Sequence, residues 1–122
     1  MSWLKKRVYS FKYAFEGIYD LFAHHPNAQV HLFALILVVV VGVILSISLI
    51  EWCLVTVCIG MVVAAEAFNT AIEYTVDWIS LEQHPIAKKI KDMAAAGVLL
   101  TSFVAVTVGL LIFLPKLFLF FD

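Results

Sequence analysis

The sequence predicts an all-α integral membrane protein, in which one N-terminal surface helix is followed by three transmembrane helices. Hydrophobic residues make up 64% of the 122 residues and charged residues only 14%. A water-soluble domain of this size could not bury so much apolar surface, so the surplus must face lipid. The apolar residues are also concentrated in three long segments that carry few charges. We expect one domain covering residues 1–122, and the net charge of −1 gives no reason to expect a nucleic-acid partner.

An amphipathic helix is predicted over about residues 3–24. Its apolar residues recur every three or four positions, which places them on one helical stripe; they are Leu4, Val8, Phe11, Phe15, Ile18 and Phe22. Trp3 and three basic residues stand at its start, and Pro26 breaks the pattern after it. This arrangement suits a helix at the membrane surface, and packing against other protein is compatible with the same pattern.

Three membrane spans follow, over about residues 30–50, 52–78 and 93–114. The first and third hold 21 and 22 residues, each long enough to cross a bilayer core of about 30 Å. Glu51 and Trp52 mark a very short turn between the first two spans.

The second and third spans are separated by a polar segment, Ile79–Asp92, which is predicted as a loop or surface segment. Pro115, Lys116 and a short apolar tail that ends at Asp122 follow the third span.

The basic residues predict the orientation of the chain. Seven of the eight lie before the first span or between the second and third, on one side of a three-span topology. Basic residues favour the cytoplasmic side, so the N-terminus is expected in the cytoplasm and the C-terminus outside. In a bacterium this arrangement corresponds to a multi-pass protein of the cytoplasmic, or inner, membrane.

Four polar residues of the second span share one helix face. At about 100° per residue, Glu66, Asn69, Glu73 and Asp77 fall within about 80° of each other. If the hydrocarbon core begins near Trp52, Glu66 lies about 21 Å along the axis, still inside hydrocarbon. A carboxylate at that depth costs about 2.5–3.5 kcal/mol, so it usually faces protein or water and has a function.

Three uses of these carboxylates are compatible with the pattern. A buried carboxylate could accept a proton from a lipid hydroxyl while a second one at the water boundary holds Mg²⁺. The alternatives are an ion or proton pathway and an interhelical hydrogen-bond cluster that holds an oligomer together. Three spans are too few to enclose a pathway in one chain, so a site or pathway suggests several copies.

Residues 66–77, EAFNTAIEYTVD, followed by KDMAAA from Lys91, resemble the prokaryotic diacylglycerol kinase and undecaprenol kinase family. The family signature is E-x-x-N-[ST]-A-I-E-x-x-x-D, a loop, and K-D-M/A. Residues 13–17, YAFEG, also resemble the surface helix of that family. The resemblance covers nearly the whole chain, including its length and its three-span topology, and implies a homotrimer whose sites combine residues of more than one subunit.

The resemblance also implies roles for individual residues. Glu66 would be the catalytic base, Asn69 and Asp77 would support it from the same polar face, and Glu73 would bind Mg²⁺. Contacts to ATP are implied for a set of polar residues in the surface helix, the second span and the following segment, namely Lys6, Tyr13, Glu73, Glu82, Gln83, His84, Lys91 and Asp92.

The sequence departs from the family just ahead of the first span. His25 stands where the family has a second metal-binding glutamate, although imidazole is a poor ligand for Mg²⁺. The usual N-F-R-I-H reads Asn27-Ala-Gln-Val-His31, so an arginine is also missing. The asparagine and histidine that remain resemble the undecaprenol kinase branch of the family more than the diacylglycerol kinase branch. His31 itself is interpreted as a hydrogen-bonded interfacial residue.

The expected function is therefore ATP-dependent phosphorylation of a membrane lipid alcohol by direct in-line transfer. Undecaprenol is the first expected substrate and diacylglycerol the second. The alternative is an impaired family member that binds lipid or nucleotide without catalysis because of the change at His25.

Overall fold

The computed structural model describes residues 2–122 as four helices joined by short connections. They are α1 (Trp3–His24), α2 (Pro26–Ile44), α3 (Leu49–Ile79) and α4 (Pro85–Phe120). No β-strand occurs between Ser2 and Asp122. The last three helices are each long and apolar enough to cross a membrane, so the prediction of an all-helical protein with three candidate spans is confirmed.

The junction between α1 and α2 is a single residue. Ser2 caps the start of α1, where its hydroxyl accepts a hydrogen bond from the backbone N–H of Lys5 at 3.3 Å. His25 then adopts an extended conformation (φ −118°, ψ 112°), as the residue before a proline is forced to do. Pro26 occupies the first turn of α2, where its missing N–H costs nothing.

The turn between α2 and α3 lies at residues 45–48, whereas the sequence placed it at Glu51 and Trp52, so that prediction is wrong. Ser46 has a positive φ of 52°, and backbone bonds from Ser46 to Val43 and from Ile47 to Gly42 close the end of α2. Ser48 and Glu51 then form a capping box that starts α3. Glu51 therefore belongs to the first turn of a helix.

The start and end of α4 also differ from the prediction. The loop before it comprises only residues 80–84, because Pro85 begins the helix and the Nδ1 atom of His84 accepts a hydrogen bond from the N–H of Ile86 at 3.1 Å. At the other end α4 runs through Pro115 to Phe120 instead of stopping at the proline. Proline is tolerated here although it removes one helical hydrogen bond.

Packing within one chain is concentrated between α3 and α4. A small apolar cluster of Ile47, Val55 and Ile112 joins the α2–α3 turn to these two helices. Large apolar side chains remain exposed along every span, for example Phe33 (71%) on α2 and Leu111 (73%) on α4. Such surface is stable only against lipid or against other copies of the chain.

Candidate functional site

The polar face of α3 passes from a buried to an exposed environment along the helix. Glu66 is 3% exposed and Asn69 5%, and the neighbouring Thr70 is also buried. Glu73 is half-buried, and Asp77 at the end of the helix is exposed. Burial of the four predicted residues thus decreases along α3, from the middle of the helix to its C-terminal end at the expected water boundary.

The buried end of this face contacts α2. The Nε2 atom of His31 lies 3.5 Å from Oε2 of Glu66, and the His31 side chain is 24% exposed. Sequence reasoning interpreted His31 only as an interfacial residue and therefore missed this contact. The periodicity of one helix cannot reveal which residue of another helix it contacts. The one available signal was that the family also has a histidine at this position.

Asn69 lies between the buried Glu66 and the half-buried Glu73 on the polar face and is hydrogen-bonded to Glu73. Its Nδ2 atom donates a hydrogen bond to Oε1 of Glu73 at 3.3 Å. Its Oδ1 atom is buried and has no hydrogen-bond partner among residues 2–122. A buried acceptor without a donor is costly, so this oxygen is available to a hydroxyl or amine group of a ligand or a neighbouring subunit.

The exposed end of the face opens onto a hollow between the end of α3, the loop 80–84 and the start of α4, which we call the loop hollow. Its volume is about 630 Å³. Six predicted nucleotide or polar-face residues line it together, namely Asp77, Glu82, Gln83, His84, Lys91 and Asp92. Lys91 contacts Asp77, and Lys88 contacts Asp92. The loop hollow therefore combines charges of both signs, and its lysines are of the type that binds phosphate oxygens.

Three of the predicted nucleotide contacts do not line the loop hollow: Glu73, one helical turn before Asp77 on α3, and two residues of α1. Lys6 and Tyr13 are exposed on α1, where Tyr13 stacks on Tyr9 with ring centroids 6.3 Å apart. Neither residue lines the loop hollow. A single chain does not bring α1 and the loop hollow together.

A group of polar side chains fastens the end of α1 to α3, and we call it the Tyr74 cluster (Asp20, His24, His25 and Tyr74). The Tyr74 hydroxyl donates to Oδ2 of Asp20 at 3.0 Å, and Nε2 of His25 lies 2.8 Å from the same hydroxyl. Nδ1 of His24 lies 3.0 Å from Oδ1 of Asp20.

The Tyr74 cluster shifts the titration of its carboxylate. The hydrogen bond from Tyr74, aided by His24 and by the charge of His25, holds the pKa of Asp20 below its ordinary value of 3.8, against an opposing effect of desolvation. A lowered pKa stabilises the folded state above the ordinary value, and this contribution is lost as the pH falls through the lowered one. The cluster is therefore intact at neutral pH.

The family implies Mg²⁺, so the donor atoms present can be compared with what that ion needs. Since Tyr74 uses its only proton on Asp20, Nε2 of His25 must carry the proton of the second hydrogen bond, and a protonated nitrogen cannot bind a cation. No three His, Cys, Asp or Glu side chains converge in the part of the chain that the structure describes. The carboxylate of Glu73 is compatible with this ion, because Mg²⁺ is commonly bound by one or two carboxylates together with substrate phosphates.

An open, apolar cavity of about 500 Å³ lies between α2, α3 and α4. His31 borders it, and the other lining side chains are almost entirely apolar, including Val38, Val62 and Phe113. This apolar cavity could accommodate hydrocarbon beside the contact between His31 and Glu66.

Known proteins resemble this chain over most of its length. Residues 12–113 match the family described as prokaryotic diacylglycerol kinase. The chain is 42% identical over 108 residues to the undecaprenol kinase of Bacillus subtilis (strain 168), which covers 88% of each protein. It is 35% identical over 109 residues to the diacylglycerol kinase of Synechocystis, covering 88% of this chain and 62% of that protein.

A third relative is the diacylglycerol kinase of Escherichia coli (strain K12), which is 31% identical over 94 residues, or 77% of each protein. The match to the family extends from the surface helix to the end of the third span, and it includes the whole polar face of α3. The resemblance predicted from the sequence is confirmed, and the chain belongs to the prokaryotic diacylglycerol kinase family.

Proposed function

We propose that this lipid kinase transfers the γ-phosphoryl group of ATP to the hydroxyl of a membrane lipid alcohol, with undecaprenol as the preferred substrate and diacylglycerol as the second. The observation that carries the proposal is the polar face of α3. It joins a carboxylate that is 3% exposed, Glu66, to a charged hollow at the end of the same helix. A lipid hydroxyl and a water-soluble phosphate donor can meet only along such a face.

At the acceptor end, Glu66 is the proposed base. A hydroxyl that attacks phosphorus must lose its proton, and a carboxylate within hydrogen-bond distance can accept it. The unpaired Oδ1 atom of Asn69 is a further acceptor that could orient the hydroxyl. The lipid tail would occupy apolar surface beside α2 and α3.

At the donor end, the loop hollow is the proposed nucleotide site. Lys91 would bind phosphate oxygens, and Glu82, Gln83, His84 and Asp92 would contact the remaining parts of ATP. Glu73 would hold a Mg²⁺ ion together with the phosphates, and the charge neutralisation that this ion supplies favours phosphoryl transfer. Positioning and charge neutralisation are most of what such a transfer needs.

The complete site is proposed to form in a homotrimer. Lys6 and Tyr13 do not line the loop hollow of their own chain, which supports a site to which α1 of another copy contributes. The apolar stripe of α1, including Phe11 (69%) and Phe15 (67%), is exposed and would lie against the membrane surface or another subunit. We further propose that the N-terminus and the loop hollow face the cytoplasm and that the C-terminus lies outside.

The impaired, non-catalytic alternative is not favoured. It depended on the loss of a metal ligand at His25, but the structure gives that residue a place in the Tyr74 cluster and leaves Glu73 free to act. We therefore propose that His25 contributes to the attachment of α1 and that Glu73 with phosphate oxygens is sufficient for Mg²⁺.

The test is phosphate transfer from labelled ATP by the purified protein in detergent micelles, with undecaprenol and diacylglycerol offered separately. We expect Glu66→Gln to lower kcat by about 10²–10⁴-fold because it removes a general base. Glu51→Gln is the matched control, since it makes the same change at the other end of α3 and glutamine retains the capping box. Transfer by Glu66→Gln at the wild-type rate would show that the base is another residue.

A further inference from the structure

His31 is the one basic side chain within 4.0 Å of Glu66 among residues 2–122. The two side chains come from different helices, α2 and α3, and meet at the buried end of the polar face. Their separation of 3.5 Å is at the upper limit of a hydrogen bond, and catalytic contacts are often long before substrate binds.

The proposed reaction leaves a proton on Glu66, and a second turnover requires that this proton departs. Glu66 is 4% exposed as a side chain, so water has little access to it. The neighbouring carboxylate Glu73 accepts a hydrogen bond from Asn69 and does not contact Glu66 directly. His31, by contrast, is 24% exposed and stands in the second turn of α2, close to the end of that span that is expected at the water boundary.

We propose that His31 is a positioning residue that orients Glu66 and carries its proton away after each phosphoryl transfer, an inference that rests on the proposed function. The lipid O–H bond breaks as its proton passes to Glu66. The lipid oxygen forms a bond to the γ-phosphorus while the bond from that phosphorus to the ADP oxygen breaks. The proton then moves from Glu66 to Nε2 of neutral His31, and the imidazolium releases it to water beyond the nearby N-terminal end of α2.

The surroundings of His31 favour this role over a purely structural one. Where His31 borders the apolar cavity, the facing side chains of α3 and α4 carry no charge. Neither α1 nor α4 places an acidic side chain within 4.0 Å of it. Glu66 is therefore the one charged group that His31 faces in the described chain, and an imidazole is the side chain that most readily exchanges a proton near neutral pH.

The test compares His31→Gln, which keeps a donor for Glu66 but cannot carry a proton, with His31→Ala. The control is His24→Gln, which removes an exposed imidazole of α1. We expect His31→Gln to lower kcat by about 10²-fold with little change in KM, because proton transfer by a positioned group contributes at least that factor. The pH dependence of kcat should also differ between His31→Gln and the wild type, and added imidazole should restore His31→Ala.

A result against the inference would be a wild-type kcat and pH profile in His31→Gln while Glu66→Gln is inactive, and the proposed function would then still stand. Absence of transfer by the wild-type protein to either lipid would overturn the proposed function and this role together. A readout without turnover is the ring ¹⁵N signals of the four histidines. In Glu66→Gln the ring signals of His31 should shift and those of His24 should not. Unchanged His31 signals would contradict the contact between His31 and Glu66.

Discussion

Replacement of Lys91 by methionine separates the stabilising role of its ion pair with Asp77 from the proposed role of Lys91 in nucleotide binding. Lys91 on α4 contacts Asp77 on α3 across the loop hollow, with 39% and 47% of the two side chains exposed. Methionine keeps the length and the apolar stem of lysine and removes the charge. Lys91→Met therefore tests whether this contact serves mainly to hold the two helices together or to bind phosphate.

The expected effect on stability is small. Ion pairs with this degree of exposure contribute between about 0 and 1 kcal/mol, because water screens both charges. The two helices also pack closely elsewhere, which Lys91→Met does not change. The midpoint of thermal unfolding in detergent should accordingly change little.

The expected effect on nucleotide binding is much larger. A hydrogen bond to a charged group contributes about 1.5–3 kcal/mol, which corresponds to a loss of about 10- to 150-fold in affinity for ATP. The matched control is Lys89→Met, because Lys89 is exposed on the same turn of α4 and does not line the loop hollow. It should leave the affinity for ATP nearly unchanged.

The assay is the KM for ATP at saturating lipid, together with direct titration of a fluorescent ATP analogue and a thermal unfolding curve. The reasoning would be refuted by a Lys91→Met protein whose KM is that of the wild type. Equal weakening by Lys89→Met would show that the loss comes from the general positive field and not from a contact in the loop hollow.

Three further predictions concern the fold. Ser46→Gly should raise the free energy of unfolding by about 1 kcal/mol, since glycine adopts positive φ without strain. Gly42→Ala should lower it by about 1–3 kcal/mol, because the new Cβ would lie 2.8 Å from the Trp52 ring. Tyr74→Phe should increase hydrogen exchange in α1 and raise the pKa of Asp20 towards its ordinary value of 3.8, because the donated hydrogen bond is lost.

Each of these predictions has its own control. Gly97→Ala adds the same methyl group where nothing lies within 4 Å, so thermal unfolding should show no loss for it. Ser46→Ala keeps a side chain at the same φ and should give no gain, unlike Ser46→Gly. Tyr19→Phe removes the hydroxyl of an exposed tyrosine on α1 itself and should leave hydrogen exchange in that helix unchanged. If the control substitution had a larger effect than the substitution it is paired with, the physical cause given for that prediction would be wrong.

The number and type of helices could be predicted from the sequence because apolar length decides them. The ends of these helices could not be predicted, because no charged residue interrupts the apolar sequence at residues 45–50. The actual turn depends on Ser46 in a left-handed conformation and on the cap at Ser48, which are weaker signals than the tryptophan and glutamate that follow. The end of the third span is likewise predicted near residue 114, whereas α4 continues through Pro115 to Phe120.

The polar face of α3 could also be predicted, since one helical period places Glu66 and Asp77 on the same side. Contacts between residues of different helices could not be predicted from the sequence. His31 meets Glu66, and Tyr74 meets His25, only because α2 and α1 return to particular positions along α3. These positions depend on packing and connection geometry, which the periodicity of a single segment does not contain.

Burial is unevenly distributed along this chain, and this bears on how its sequence can drift over evolutionary time. Eleven residues between Ser2 and Asp122 are buried, and three of them, Glu66, Asn69 and Thr70, are polar neighbours on α3. Lipid accepts leucine, isoleucine, valine or phenylalanine almost alike, so most outward positions can exchange freely among them. Substitution at the lipid-facing positions can therefore lower the overall identity between two members of the family without altering the proposed site at residues 66–70.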